Sequence, residues 1–174
     1  MKTVSLVLLW LCAVANAATG DSLLPWQPLQ GRVAFSQVKT IQGLPVPLRS
    51  SGYLDLSAQQ MLWHTTTPLD SKLLITAAGV SQWQQQEYIA VAGSEFVGQL
   101  MLAVLQQDLD FMQQQFQLQR GDNHCTLLQP KQAPLDQLFE QIALCGEQQL
   151  SSLTLREKNG NSTQISLQTE AATP

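Results

Sequence analysis

Apolar and polar residues alternate along most of the chain, and this period of two is typical of β-strands with one buried face. The clearest stretch is Gly52–Trp83, where three such strands have as their apolar residues Leu54 and Leu56, Met61 and Trp63, and Leu73 and Ile75. Ala77-Ala78-Gly79 is predicted as a turn. Three strands in so short a stretch predict an antiparallel meander that forms one wall of a cup.

The same alternation predicts further strands on both sides of the meander. They cover Gln30–Ile41, Glu87–Ala92, Phe116–Gln119, His124–Gln129, Leu138–Cys145, Leu150–Glu157 and Thr163–Thr169. Ahead of them, the apolar residues between Leu23 and Trp26 are predicted to plug one end of the sheet. An antiparallel sheet of about ten strands curls on itself into a complete or partial barrel, so the fold class is α+β and mainly β.

The pattern changes to a helical one after Gly93. Ser94 is a candidate N-cap, and Glu95 places a negative charge in the first turn. One stripe of this helix carries Phe96, Leu100 and Val104, and the stripe beside it carries Val97, Met101, Leu105 and Leu109. A helix that is apolar on all sides is either buried in a core or covers an apolar ligand, and its periodicity leaves both possibilities open.

A second, shorter helical piece is predicted that is flanked by Asp108 and Asp110 and ends near Gln114. Both helices lie between the two groups of strands. They are therefore predicted as an insertion that covers the curled sheet.

The first residues have the order of a secretory signal peptide. Lys2 precedes an apolar run over Val4–Val14, and Ala15-Asn16-Ala17 supplies small residues for cleavage near Ala17. This run of about 11 residues is too short to span a bilayer, which takes about 20. A lipid anchor on Cys12 is the weaker alternative, because bulky residues precede that cysteine.

The domain organisation follows from this boundary. Residues 1–17 are predicted as the signal peptide, residues 18–170 as one domain, and residues 171–174 as a flexible tail. The formal net charge of −4 argues against nucleic acid or an anionic membrane surface as a partner. Much of the polar surface is glutamine, which is uncharged and carries no chemistry here.

Two cysteines remain after cleavage, Cys125 and Cys145, and an even pair in an exported chain suggests a disulfide. If they lie opposite each other in a hairpin, Leu127 lies opposite Ala143. Thr126 and Leu128 then share the other face with Leu144 and Ile142, which gives a coherent buried face. Two free buried thiols are the alternative.

Candidate catalytic residues are scarce. His64 and His124 fall in different strands, and His64 is predicted to pair or point outward. A metal site drawn from Asp122, His124 and the two cysteines lacks the usual ligand spacing. No catalytic residue, metal or cofactor is predicted, and the sequence favours binding over enzymatic activity.

Several motifs, in order, resemble the LolA family of periplasmic lipoprotein carriers. They are the opening strand Leu29–Gln37, the second strand Gly52–Leu56, Trp63-His64 with Thr66 and Pro68, the G-x-x-x-W turn from Gly79 to Trp83, the segments Leu127–Pro130 and Ile142–Leu144, and the closing turn Asn159-Gly160. Together they span most of the mature chain.

The resemblance implies an unclosed β-barrel with a helical lid over a hydrophobic cavity. It implies a periplasmic monomer that takes acyl-bearing cargo from an inner-membrane transporter and passes it to an outer-membrane acceptor. The expected cavity wall is Phe35, Leu54, Leu56, Met61, Trp63, Leu73 and Ile75, and the expected lid residues are Phe96, Leu100, Val104 and Leu105. The alternative is a LolA-like sensor or interaction domain that binds a partner polypeptide. An acyl-processing enzyme, the third possibility, lacks candidate catalytic residues.

One position departs from the family. Members carry an arginine that tethers the lid and a cavity phenylalanine ahead of the tryptophan of the third strand. Alignment on Trp63 places Ser57 at the arginine and Met61 at the phenylalanine. Serine cannot form the same charge-assisted bond, so another acyl lipid is as admissible a cargo as a lipoprotein.

Overall fold

The computed structural model describes residues 23–169, and the predicted signal peptide and the tail 171–174 lie outside them. Eleven strands are present: β1 Gly31–Thr40, β2 Leu48–Leu56, β3 Gln60–Thr67, β4 Ser71–Thr76, β5 Gly79–Gln84, β6 Glu87–Ala90, β7 Phe116–Arg120, β8 Cys125–Pro130, β9 Phe139–Gly146, β10 Leu150–Glu157 and β11 Ser162–Thr169. The helices are α1 Glu95–Gln106, α2 Leu109–Gln115 and α3 Leu135–Leu138.

All the strands form one antiparallel sheet in the order β6-β5-β4-β3-β2-β1-β11-β10-β9-β8-β7. Strands β6 and β7 are its edges and do not pair with each other in the described chain, so the barrel is unclosed. Helices α1 and α2 connect these two edges, with α1 packed on β4 and β5 and α2 on β7. The predicted fold class, an antiparallel sheet curled into an unclosed barrel with a helical lid, is confirmed.

One local prediction is wrong, and one short element is missed. The segment from Gly79 to Trp83 forms the strand β5 and not the predicted turn, and Val80 pairs with Ile75 of β4. Its apolar content is too low for a strand pattern, and only pairing with β4 on one side and β6 on the other makes it a strand. The one-turn helix α3 is missed, because four residues are too few to show a repeating helical pattern.

Ser94 is the N-cap residue of α1, as predicted, but its side chain does not bond an amide of the first turn. Its hydroxyl accepts a hydrogen bond from the Val80 amide at 2.8 Å and donates to the Val91 carbonyl at 2.6 Å. Ser94 therefore anchors the start of α1 to strand β5. Asp108 does cap α2, since its carboxylate accepts from the Phe111 amide at 3.0 Å.

The register places the predicted wall residues on one face of the sheet. Val33, Leu54, Trp63 and Leu73 stand opposite one another across β1 to β4, and Leu56, Met61 and Ile75 form the next row. Phe35 follows Val33 by two positions and shares this face. This is the concave face, which the helices cover.

The two ends of the curled sheet differ. At one end, which carries the turns at 57–59 and 77–78, Leu24, Trp26 and Leu29 are buried in the core. The Thr126 hydroxyl there donates to the Leu23 carbonyl. We call this the closed end. The opposite end carries the loop 41–47, the turn 158–161 and helix α3, and we call it the open end.

The hairpin of β8 and β9 has the predicted register. Cys125 lies opposite Cys145 and forms a disulfide with it, and Leu127 lies opposite Ala143. Thr126 and Leu128 are buried with their partners Leu144 and Ile142. The disulfide prediction is confirmed, and the alternative of two free thiols is wrong. No helix within residues 23–169 is long and apolar enough to cross a membrane.

Candidate functional site

A cavity of about 450 Å³ lies between the helices and the concave face of the sheet. Six of the predicted site residues line it: Leu54 and Trp63 from the wall, and Phe96, Leu100, Val104 and Leu105 from α1. The same helix buries Leu102 and Ala103 in the core. Helix α1 is therefore both a core helix and the lid of the cavity, and we refer to it as the lid.

The other predicted wall residues lie behind or below the cavity. The Phe35 ring packs against Trp63 with ring centroids 4.8 Å apart. Leu56, Met61 and Ile75 are buried toward the closed end, where the lid packs on β4 and β5, and Leu73 is half-buried against the same core. These residues support the wall without lining the cavity.

The lid approaches the sheet closely at a glycine. A Cβ atom added to Gly98 would lie 2.4 Å from the Thr76 carbonyl oxygen, and the backbone of Gly79 is almost as close. Only a residue without a side chain permits this contact. The contact places the following turns of the lid over the cavity.

More than half of the apolar lining comes from residues outside the predicted set. They are Val97 and Met101 on the lid, Pro134, Leu135 and Leu138 around α3, and Phe139, Ile142, Leu153, Leu155, Ile165 and Leu167 on the second group of strands. The period of two in β10 and β11 marks Leu153, Leu155, Ile165 and Leu167 as one face. The sequence does not tell which strands curl around to face the lid.

The lid is tethered to the closed end through a neutral group. The Gln106 side-chain amide donates to the Ser57 carbonyl at 3.2 Å and to the Ala58 carbonyl at 3.0 Å. Ser57, at the family's arginine position, uses its hydroxyl locally to donate to the Gln60 carbonyl at 3.1 Å. A glutamine of the lid and two backbone carbonyl groups therefore make this connection without a charged side chain.

Polar side chains enter the lining at the open end. They are Gln37, Lys39, Glu157 and Thr163. The Lys39 ammonium lies 3.7 Å from one carboxylate oxygen of Glu157, and the other oxygen accepts from Asn159 at 3.1 Å and Asn161 at 3.2 Å. Partial burial alone would raise the pKa of Glu157, but the donors from Asn161, Asn159 and Lys39 outweigh it and hold that pKa below its ordinary value.

His64 lies on the opposite face of the sheet from the cavity. Its ring nitrogens bond the Tyr53 hydroxyl at 2.5 Å and the Asp70 carboxylate at 2.7 Å, so it pairs, as predicted. The hydrogen bond with His64 holds the pKa of Asp70 below its ordinary value. Arg32 lies over the Tyr53 ring, 4.1 Å from its centroid. This network stabilises the outer face of the meander and is remote from the cavity.

A wider groove of about 780 Å³ runs beside the disulfide, past Asn123, His124 and Glu147. It is open to solvent and mostly polar, so it does not suit an apolar ligand. Within residues 23–169 no group of three or more side chains is arranged to hold a metal ion.

The sequence matches no protein-family profile and no curated protein. Among solved structures, a LolA superfamily protein from Nitrosomonas europaea is 6% identical with a TM-score of 0.44, covering 87% of this chain and 91% of that chain. LprF from Mycobacterium bovis is 13% identical with a TM-score of 0.40, covering 83% and 87%. The first bears the name of the family that the sequence motifs resemble. Both TM-scores are below 0.5, so the fold is described from the chain's own strand order and register.

Proposed function

We propose that this protein is a periplasmic carrier that binds the acyl chains of a lipoprotein or another lipid and carries them toward the outer membrane. The observation that supports this most directly is the cavity of about 450 Å³ under the lid. Its volume falls within the range of about 300–1,000 Å³ that is usual for small-molecule sites. Its lining is apolar except at the open end, which suits an acyl chain better than a polar ligand.

The compartment and the partners belong to the same proposal. The disulfide between Cys125 and Cys145 suits an oxidising compartment such as the periplasm. A carrier there would act as a monomer, receiving cargo from an inner-membrane transporter and releasing it to an outer-membrane acceptor. It would bind its cargo without chemical change, as a carrier and not as an enzyme.

A second candidate, the sensor or interaction domain, is favoured by the edge of the sheet. Strand β6 is exposed along its length, and Tyr88, Ile89 and Trp83 present apolar side chains there. An exposed edge can pair with an extended segment of another chain. In that case the partner polypeptide, and not a lipid, would be the ligand.

Native mass spectrometry of the protein isolated from the periplasm tests the proposal. We expect adducts with the mass of a lipid or lipoprotein on the wild type. In Leu100→Asp their occupancy should fall by about tenfold or more, because a carboxylate among acyl methylenes loses several kcal/mol of hydration. Gln99→Asp, on the exposed side of the same helix, is the matched control and should keep the adducts.

Three results would contradict the proposal. An empty wild type bound to a polypeptide would favour the sensor domain. Equal adducts on both variants would place the lipid outside the cavity. A wild type that carries neither a lipid adduct nor a bound polypeptide would contradict both candidate functions.

A further inference from the structure

Three adjacent strands change from apolar to polar along the concave face, and all three change at the open end. Inward positions run from Phe35 to Gln37 and Lys39 on β1, from Leu153 and Leu155 to Glu157 on β10, and from Leu167 and Ile165 to Thr163 on β11. Lys39 and Thr163 are direct partners across β1 and β11. A ligand with an apolar tail and a polar head would therefore bind in one orientation, with its head at the open end.

The charged residues of the described lining are one cation and one anion, Lys39 and Glu157. Their side chains are 38% and 19% exposed, so both remain in contact with solvent at the mouth. At 3.7 Å the ammonium and the carboxylate are too far apart for a good hydrogen bond. Each can therefore accept a closer partner without breaking a strong bond.

The carboxylate is held in place independently of Lys39. Asn159 and Asn161 of the β10–β11 turn donate to one of its oxygens, which leaves the other directed at Lys39 and the cavity. The amide of Gln37 and the hydroxyl of Thr163 add neutral donors and acceptors beside the pair. The mouth thus presents an anion fixed by two asparagines, a half-exposed cation and no net charge.

We propose that the open end binds the headgroup of a zwitterionic phospholipid whose cationic group is a primary ammonium. The phosphate oxygens accept from Lys39, the lipid ammonium donates to Glu157, and the acyl chains extend toward the closed end. A headgroup with only an anion would place its charge against Glu157. A quaternary ammonium has no N–H to donate to the carboxylate. This inference rests on the proposed function and specifies its ligand.

A competition among headgroups tests it. The delipidated mature protein is incubated with vesicles containing equal amounts of phosphatidylethanolamine, phosphatidylcholine and phosphatidylglycerol with identical acyl chains, and native mass spectrometry then counts each bound lipid. We expect phosphatidylethanolamine to exceed each of the others by about tenfold, the effect of one charge-assisted hydrogen bond.

Substitutions at the mouth should change the preference without emptying the cavity. Glu157→Gln keeps the side-chain shape and should raise bound phosphatidylglycerol to the level of phosphatidylethanolamine. Lys39→Gln removes the contact with the phosphate, which all three headgroups share, so it should lower the binding of each while phosphatidylethanolamine remains the most abundant. Lys158→Gln, which removes a neighbouring charge outside the lining, is the matched control and should preserve the wild-type ratios.

The outcomes separate this inference from the proposed function. Equal binding of the three phospholipids by the wild type overturns the headgroup assignment and leaves the carrier proposal standing. Ratios that are unchanged in Glu157→Gln, or total bound phospholipid that is unchanged in Lys39→Gln, overturn it as well. A wild type that binds no phospholipid and no acyl adduct of any kind overturns both.

Discussion

Two ion pairs lie on opposite faces of the sheet, and they differ in how closely their charged groups approach each other. Arg32 and Asp55 form two parallel hydrogen bonds of 2.7 and 2.8 Å on the outer face. Lys39 and Glu157 form a looser contact of 3.7 Å at the mouth of the cavity. Arg32 and Asp55 are bonded to each other by two charge-assisted hydrogen bonds, whereas Lys39 and Glu157 are far enough apart for each to bond a ligand.

The tight pair makes stability depend on acid pH. The hydrogen bonds from Arg32 hold the pKa of Asp55 below its ordinary value of 3.8, against the opposing effect of partial burial. A depressed folded-state pKa contributes stability above the unfolded-state pKa, and this contribution is lost as the pH falls through the folded-state value. We expect Asp55→Asn to cost about 1 kcal/mol or less at pH 7, as is usual for exposed pairs, and to cost less at pH 2.

Urea denaturation of the wild type and of Asp55→Asn at pH 7 and pH 2 measures the difference. Asp122→Asn, in the turn after β7, is the control for removal of an aspartate charge. A deficit of equal size at both pH values would show that the carboxylate charge contributes nothing, and that the substituted amide is unfavourable for reasons of shape.

Among the secondary-structure elements, the lid is held against the meander by contacts with the backbone atoms of its strands and turns. Ser94 bonds to strand β5, Gly98 lies against the Thr76 carbonyl, and Gln106 donates to the turn after β2. These contacts fix both ends of α1 relative to the sheet. The position of the lid, and therefore the volume of the cavity, depends on them.

Gly98→Ala tests this close contact. Alanine favours a helix over glycine by about 1 kcal/mol, so an unconstrained helix would gain stability. Here the new methyl group would meet the Thr76 carbonyl oxygen at 2.4 Å, and we expect a net loss of about 1–3 kcal/mol, typical of overpacking. Hydrogen exchange of the amides in residues 95–106 should become faster, since the lid is displaced from the sheet.

Gln99→Ala provides the matched control, because Gln99 is exposed on the same turn of the helix. It should leave both the urea midpoint and the exchange of the lid close to those of the wild type. A Gly98→Ala variant that is as stable as this control would mean that the lid can shift at no cost.

The sequence predicts the strands that alternate strongly and the hairpin that carries the disulfide. The register of Cys125 with Cys145 follows from the apolar face that it creates, because a slip of one residue would turn Leu128 and Leu144 outward. Strand β5 is missed because its own residues do not show a strand pattern. It is a strand only because it pairs with β4 and β6.

The cavity is only partly predictable for a related reason. Trp63 and Leu100 are found because strand and helix periods identify their faces. Leu138 and Phe139 are missed, since their place in the lining depends on the curl of the sheet and on the one-turn helix α3. The sequence does not predict the polar mouth, because Lys39 and Glu157 are far apart in the chain. Their strands, β1 and β10, are neighbours only because β11 lies between them.

At the scale of the whole molecule, an eleven-stranded sheet with free edges encloses a cavity with one closed and one open end. Trp26 and its neighbours block the closed end, while Leu138, 55% exposed, lines the rim of the open end. The helices bridge the gap that an unclosed barrel leaves, because they connect the two edges of the sheet. Under the proposed function, an acyl chain would enter tail first from the open end.

Photochemical labelling with a phospholipid that carries a diazirine at the end of one acyl chain tests the central claim most directly. After irradiation, peptide mass spectrometry locates the labelled residues. We expect labels on the cavity lining, in α1 and in strands β9 to β11, and a loss of these labels in Leu100→Asp. Labels confined to the exposed edge strand β6, around Trp83 and Tyr88, or no saturable label on the wild type, would contradict it.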